Sequence, residues 1–397
     1  MCAASGMSDW KNEWFPIEDA TYLNFAAHAA IPRIALNAVL ASVAAKRWPH
    51  IVDDQSFFSV ARSLRRTLAT LIGASQDDIA LTSGAGAGLA TIAYALKWSA
   101  GDEVIIARGE FPAHYATWKP MEARESIKLQ ITHPQGQFIH SDDLIAAMTP
   151  RTRVISVSHV RFDDGSILDA SSLAAACQKN GTLLVLDVSQ SCGAIPMDVG
   201  SLGADFIVCA GYKYLLSPFG TGFLWVKPQN AHLLRPGPYN WLSQDVESFA
   251  RLNFVDPRPA RTLSRWDAAE TSSIYNFNLT VMEASLKFVL NATPTRIHDH
   301  NQALISYLFE RLPDGYRLAS PRQASQRGVF GCIEVGSRSN TESLYQTLRD
   351  KRFVVALREG RIRVAPHLLN STQDIDRLLV VMKKWRGCRL APASKLI

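Results

Sequence analysis

The stretch "CAGYKYLLSPFGTGFLWV", residues 209–226, sets a lysine between two tyrosines, after an apolar run and before a glycine-rich turn. Burying an ammonium is expensive, so Lys213 calls for a chemical reason. Its flanks read as strands, "DFIVCA" (205–210) before it and "GFLWV" (222–226) after it. The same kind of run recurs upstream at "DIALTS" (78–83), "EVIIA" (103–107), "IKLQIT" (127–132), "RVISVSHV" (153–160) and "TLLVLD" (182–187). Between these lie segments with apolar residues at helical spacing, such as "AGLATIAYALKW" and "DASSLAAACQKNG". Continuous apolar strands with helices as connectors predict an α/β fold, a mostly parallel sheet flanked by helices. Ligands on such sheets sit beyond the carboxyl ends of the strands, and Lys213 falls at such an end.

Other chemistry-bearing residues fall there too. Asp187 ends "TLLVLD", Gln190 follows it, and "TSGAGAG" (82–88) follows another strand and opens a helix. An acid, an amine and a glycine-rich helix start therefore converge at one sheet edge. Each suits one part of pyridoxal phosphate. The amine can form a Schiff base with the aldehyde, and the carboxylate can keep the pyridine nitrogen protonated. The backbone N–H groups of Ala85 and Gly86, at a helix N-terminus, can receive the phosphate. Phe111, just past "EVIIA", can stack on the ring. Taken singly, each residue has a plainer reading: Asp187 as a helix cap, Phe111 as core, Lys213 reaching out to solvent. "SGAGAG" could serve a dinucleotide, although it is not a clean GxGxxG, so a nicotinamide-dependent oxidoreductase and a non-catalytic binding protein are the remote alternatives.

Composition bounds the rest. The 397 residues are 47% hydrophobic and 20% charged, which suits a soluble globular protein with a large core. No apolar run is long enough to span a membrane, and "MCAASGMSDWKNEWFP" lacks a secretory pattern, whether Met1 or Met7 is the natural start. Six scattered cysteines without paired metal spacing fit a reducing cytoplasm. The net charge of +6 is spread out. "RSLRR" (62–66) reads as a solvated helix face rather than a nucleic-acid patch. From about residue 292 the pattern shifts to a smaller α+β unit, with "RIHDHNQALISYLFERL", short strands near "GVFGCIEV" and "FVVAL", and a last helix "TQDIDRLLVVMKKW". The expected division is an N-terminal segment (1–33), a large domain (34–291) and a small C-terminal domain (292–397), joined at "ATPT" (292–295).

The sequence resembles the class V aminotransferase family, fold type I of the pyridoxal phosphate enzymes, from "YLNFAAHAAIP" (22–32) to "RIRVAPHLLNSTQDIDRLL" (361–379). "LVLDVSQSCGAIPMDV" is similar to the family's Asp-x-x-Gln stretch, and "AGYKYLLSPFGTGFLWV" resembles its Schiff-base lysine segment. The resemblance implies a seven-stranded sheet, with Lys213 and Asp187 catalytic and Gln190 on the cofactor's ring oxygen. It implies Phe111 as the stacking aromatic, Tyr212 as a phosphate ligand and Arg363 as the clamp on a substrate carboxylate. Asn24 and His28 line the substrate side. Arg358 is either a second carboxylate ligand or part of a surface ion pair, and His28 and His114 are acid–base or structural groups. "RWDAAETSS" (265–273) aligns with a stretch that reaches a neighbouring subunit's cofactor, so Thr271 and Ser272 are expected phosphate contacts in a homodimer. The implied activity is transamination or deamination of an amino acid or amine. C–S or C–Se lysis and epimerisation are the alternatives. The desulfurases' reactive cysteine is missing from "VVALREGRIRVAPH", so a persulfide route is not expected. Ala85 and Gly86 replace hydroxyl residues at the phosphate turn, and Ala210 a serine.

Overall fold

The computed structural model of the chain describes residues 10–235, 241–244, 259–267 and 277–385. The chain begins with a short strand β1 (Thr21–Tyr22) and two helices, α1 (Arg33–Arg47) and α2 (Asp54–Ile72). Asp53 starts α2 by accepting the Ser56 N–H at 2.8 Å, and Gly73 ends it at φ 67°. Strands and helices then alternate: β2 (Ile79–Thr82), α3 (Ala85–Ala95), β3 (Glu103–Ala107), α4 (Pro112–Glu125), β4 (Lys128–Thr132) and α5 (Ser141–Ala146). They continue with β5 (Thr152–Ser158), α6 (Ala170–Asn180), β6 (Leu183–Asp187), α7 (Val199–Leu202), β7 (Phe206–Ala210) and β8 (Gly222–Val226).

Strands β2 to β8 form one sheet of seven, in the order β2-β8-β7-β6-β5-β3-β4. Only β8 runs antiparallel to its neighbours. Alternate side chains enter two cores, which is why the strands read apolar throughout. Leu184, Leu186, Ile207 and Cys209 face one core, while Val185, Phe206 and Val208 face the other. Helix α3 lies unusually close to β7, because a Cβ on Gly88 would stand 2.7 Å from Val208 Cγ1. The carboxyl ends Thr82, Ala107, Ser158, Asp187 and Ala210 share one edge of the sheet.

Helices α8 (Phe277–Ala292) and α9 (Pro294–Glu310) meet at Thr293, which takes φ 65° and accepts the Arg296 N–H. Beyond them come β9 (Tyr316–Leu318), β10 (Gly331–Val335), α10 (Arg338–Asp350), β11 (Phe353–Val354), β12 (Ala356–Arg358), β13 (Arg361–Val364) and α11 (Thr372–Lys384). An antiparallel sheet ordered β12-β13-β10-β9 packs with α9, α10 and α11 around a separate core that includes Leu344, Ile362 and Leu378.

The short strands expected near "FVVAL" are present but part company: β11 leaves to pair in parallel with β1, whereas β12 joins the small sheet. A two-residue strand is too short to leave a period in the sequence. One expectation needs correction: the basic run 62–66 is not wholly a solvated face. Arg62 and Arg66 are exposed, but Arg65 is ion-paired with the buried Asp267, whose other oxygen accepts the Leu81 N–H at 2.8 Å.

The N-terminal segment runs as a strap across the sheet edge. Leu23 N–H donates to Val354 O at 2.9 Å, Phe25 N–H to Ala365 O at 3.1 Å, and Ala29 N–H to Tyr212 O at 2.8 Å.

Candidate active site

Lys213 lies in the turn after β7 and is 5% exposed. The turn is closed by Ser217 N–H on Gly211 O and Leu216 N–H on Lys213 O, each at 3.0 Å. The Lys213 Nζ sits 5.1 Å from the Phe111 ring centroid and 5.8 Å from that of Tyr212. Burial pulls its ammonium down to about 8 against the attraction of Asp187, and the Arg363 and Arg358 guanidiniums add to the fall. A fraction of the amine is therefore free to act as a nucleophile or base near neutral pH, where an ordinary lysine is almost wholly protonated.

Asp187 is fully enclosed at the end of β6. Its Oδ1 accepts the Ser189 N–H at 2.8 Å, and its Oδ2 stands 3.8 Å from His114 Nε2. Burial alone would raise its carboxyl. His114, Lys213 and Ser189 outweigh burial and hold it below the usual carboxylate range. Gln190, one turn further on, donates from Nε2 to Ala26 O at 3.1 Å, while its Oε1 is buried with no partner. A buried acceptor left empty is costly, so this amide is built to meet a donor brought from outside.

At the third corner, Gly84 precedes α3 at φ 149° and supplies no side-chain cap. The first-turn N–H groups of Ala85 and Gly86 are thus left for an anion. Tyr212 is stacked on Phe219, with ring centroids 4.2 Å apart, and burial raises its phenol. Thr271 and Ser272 lie outside the described residues.

The small sheet supplies the arginines. Arg363 on β13 is 1% exposed; its Nη1 donates to Phe162 O at 2.8 Å and its Nε is buried without a partner. Arg358 on β12 donates to Leu357 O at 2.9 Å. Among the described residues no carboxylate pairs with Arg358, so the surface ion pair open to it in the sequence is not formed. Asn24 is buried on the strap with Oδ1 unpartnered. His28 is exposed, and its carbonyl accepts the Tyr22 hydroxyl at 2.6 Å.

Behind the acid lies a charged cluster that sequence reasoning largely missed. His114 is wholly buried, with Nδ1 2.9 Å from Ser156 Oγ and Nε2 3.8 Å from both Glu110 Oε2 and Asp187 Oδ2. Glu110 accepts from the Ser158 hydroxyl at 2.6 Å and pairs with Arg161 at 3.4 Å. Arg161 in turn pairs with Asp163 at 3.2 Å, and Asp163 reaches Arg361 of β13 at 3.6 Å. Burial pushes the Asp163 carboxyl up to about 6 despite both arginines. The available signal was the i, i+4 spacing of Glu110 and His114 around Phe111.

Buried amine, buried acid, empty amide oxygen and open helix start form a set that fits a ring bearing an aldehyde, a nitrogen, a hydroxyl and a phosphate. The model for Aminotransferase class-V matches residues 50–373. The chain belongs to the class-V aminotransferase family. That family depends on pyridoxal phosphate, so this chain is a pyridoxal-phosphate enzyme, and the nicotinamide and non-catalytic readings fall away. Relatives include the uncharacterized aminotransferase YcbU of Bacillus subtilis, 27% identical over 83% of each chain. The isopenicillin N epimerase of Amycolatopsis lactamdurans is 23% identical over 92% of this chain and 94% of its own. Among solved structures, the cystine C–S lyase C-DES in complex with cysteine persulfide aligns with a TM-score of 0.84 at 21% identity. It covers 93% of this chain and 98% of its own. At that identity the likeness shows the fold, fold type I.

Proposed function

We propose that this class-V family enzyme acts on an amino acid or amine at Lys213, by transamination or deamination. The observation that carries the reading is a buried amine brought to about 8 and facing the buried carboxylate of Asp187. When bound, pyridoxal phosphate supplies an electron-withdrawing ring that weakens bonds at a substrate's α-carbon. The protein's own groups divide the remaining work. Asp187 holds a proton on the ring nitrogen, and the Gln190 amide meets the ring hydroxyl. Phe111 covers a ring face. Ala85 and Gly86 N–H groups bind the phosphate with Tyr212, joined by Thr271 and Ser272 of a second copy. Arg363 clamps the α-carboxylate, Arg358 receives a second carboxylate where the substrate has one, and Asn24 and His28 line the entrance. Lys213 is the anchor, and as a free amine it takes and returns the proton at the α-carbon.

A C–S or C–Se lyase, or an epimerase, is the second reading, supported by the names of the epimerase and lyase relatives. A persulfide route through a cysteine lacks support. The cysteine directly opposite Arg363 across β10 and β13 is Cys332, wholly buried with its thiol pushed up to about 12 by burial.

A homodimer belongs to the same proposal. Leu36, Leu40 and Val43 form an apolar stripe on the outer face of α1, with Leu40 59% exposed. Phe219, stacked on Tyr212, is 63% exposed beside the site. A second copy would cover both. The division into a strap, a large unit and a small unit from 292 is likewise proposed, as is a cytoplasmic setting, which suits the free buried thiols of Cys177, Cys192, Cys209 and Cys332.

The test is visible spectroscopy. Protein loaded with pyridoxal phosphate should absorb in the visible, lose that band to borohydride, and never show it as Lys213→Ala. A parent protein that stays colourless with added cofactor overturns the reading. Incubation with a panel of amino acids, followed by mass analysis of products, separates transamination and deamination from lysis and epimerisation.

A further inference from the structure

The chain contains three deeply buried histidines whose surroundings differ in one respect. His159 lies against Ser191 Oγ at 3.0 Å, and burial drives its imidazole down to about 4. His367 is stacked on Phe25 with a centroid distance of 4.9 Å, and burial drives it down to about 3, helped by His300. His114 is just as enclosed and has a serine at Nδ1 as His159 does, yet its Nε2 stands midway between two carboxylates. Burial opposes its charge as well, but Asp187 and Glu110 outweigh burial and the repulsion of Arg161, so it moves upward.

We propose that His114 is a positioning residue: an imidazolium fixed between Glu110 and Asp187, which keeps Asp187 ionised and aimed at the ring nitrogen. The geometry gives the reason. Two buried carboxylates with nothing between them would force one to take up a proton, and a protonated Asp187 could not hold the ring's proton. A cation at Nε2 removes that conflict by setting one positive charge 3.8 Å from each acid, at a nitrogen with no hydrogen-bond partner of its own. Nδ1–H then donates to Ser156, which sets the plane of the ring. Glu110 is itself held in place by Arg161 at 3.4 Å and by the Ser158 hydroxyl at 2.6 Å. The groups facing the imidazole are thus Glu110 at the start of α4, Ser156 on β5, Arg161 after β5 and Asp187 on β6, with Lys213 beyond the acid. Their charges alternate along the series Arg161, Glu110, His114, Asp187.

The inference rests on the role proposed for Asp187, but its test reads the protein alone. Cofactor-free protein labelled with 15N-histidine should show one imidazolium at pH 8, identified as the signal missing from His114→Asn among the ten histidines. Its loss of the proton should fall above that of an ordinary histidine. Glu110→Gln should move that midpoint down, and His159→Asn should leave it in place. In the loaded enzyme, His114→Asn, which keeps an amide for Ser156, should lower kcat about ten- to a hundredfold with little change in KM. Adding Glu110→Gln to it should cost nothing further. A neutral His114 imidazole at pH 7 in the cofactor-free protein overturns the inference, even if the spectrum at Lys213 behaves as expected. A kcat for His114→Asn equal to that of the parent also overturns it.

Discussion

At Lys213 two demands on one amine conflict. Reactivity near neutral pH wants the uncharged form, and stability of the cofactor-free fold is worst when the charged form is buried. The ammonium loses its proton at about 8 in the folded chain, against about 10.4 when unfolded. A base whose folded value is depressed adds stability above the unfolded value and loses it as pH falls toward the folded one. Below pH 8 the whole penalty is present, between 8 and 10.4 it is progressively relieved, and above that it is gone. Lys213→Met should therefore raise the stability of the cofactor-free protein at pH 7, by at most about 3 kcal/mol. That gain should vanish by pH 10.5. Urea midpoints of parent and variant across this range check it, and a gain that grows with pH would falsify the burial argument. The arginine opposite is fixed by different means. Arg363 is anchored by Phe162 O and stays charged although burial pulls its pKa down.

At the level of elements, the phosphate corner depends on how closely α3 can lie against β7. Gly88 permits the approach, since a Cβ there would stand 2.7 Å from Val208 Cγ1 and 3.7 Å from Leu224 Cβ. Gly88→Val should lift the helix, destabilise the fold by about 1–3 kcal/mol through overpacking, and weaken cofactor binding as the N–H groups of Ala85 and Gly86 move. The urea midpoint and a pyridoxal phosphate titration read these two effects separately. An unchanged affinity in a destabilised variant would show that α3 does not position the phosphate. The β12–β13 hairpin works the same way for the substrate side, since its register sets Arg363 opposite Ala356 and Arg358 opposite Arg361. Here the sequence offered Arg363 and Arg358 as carboxylate ligands through the family resemblance, but no hairpin. Three- and four-residue strands separated by a tight turn leave too little alternation to be seen, and the other partner of β13, strand β10, comes from a distant segment.

Over the whole molecule, separate hydrophobic cores meet at the strap. Leu23 belongs to the small core and Phe25 to the large one. The same segment carries Asn24 and offers Ala26 O to Gln190, so any movement of the small sheet is felt where the substrate enters. The outer stripe of α1 belongs to this scale as well. Leu40→Glu places a charge in its centre without touching the buried face of the helix. It should convert a homodimer to monomers by sedimentation and weaken cofactor binding, if a second copy supplies Thr271 and Ser272. Dimers that persist in the variant would place the interface elsewhere.

The mostly parallel sheet, the succession of its strands along the chain and the placing of Lys213, Asp187 and Gln190 at or just beyond strand ends were all legible in the sequence alone. Long apolar runs and strand-end positions are local properties, and a local reading suffices for them. Tertiary structure alone decided that His114 and Glu110 stand behind Asp187, that Arg65 serves Asp267, and that β11 turns away to hold the strap. Those choices rest on burial and on charges brought together from distant parts of the chain. Neither quantity exists until the chain is folded.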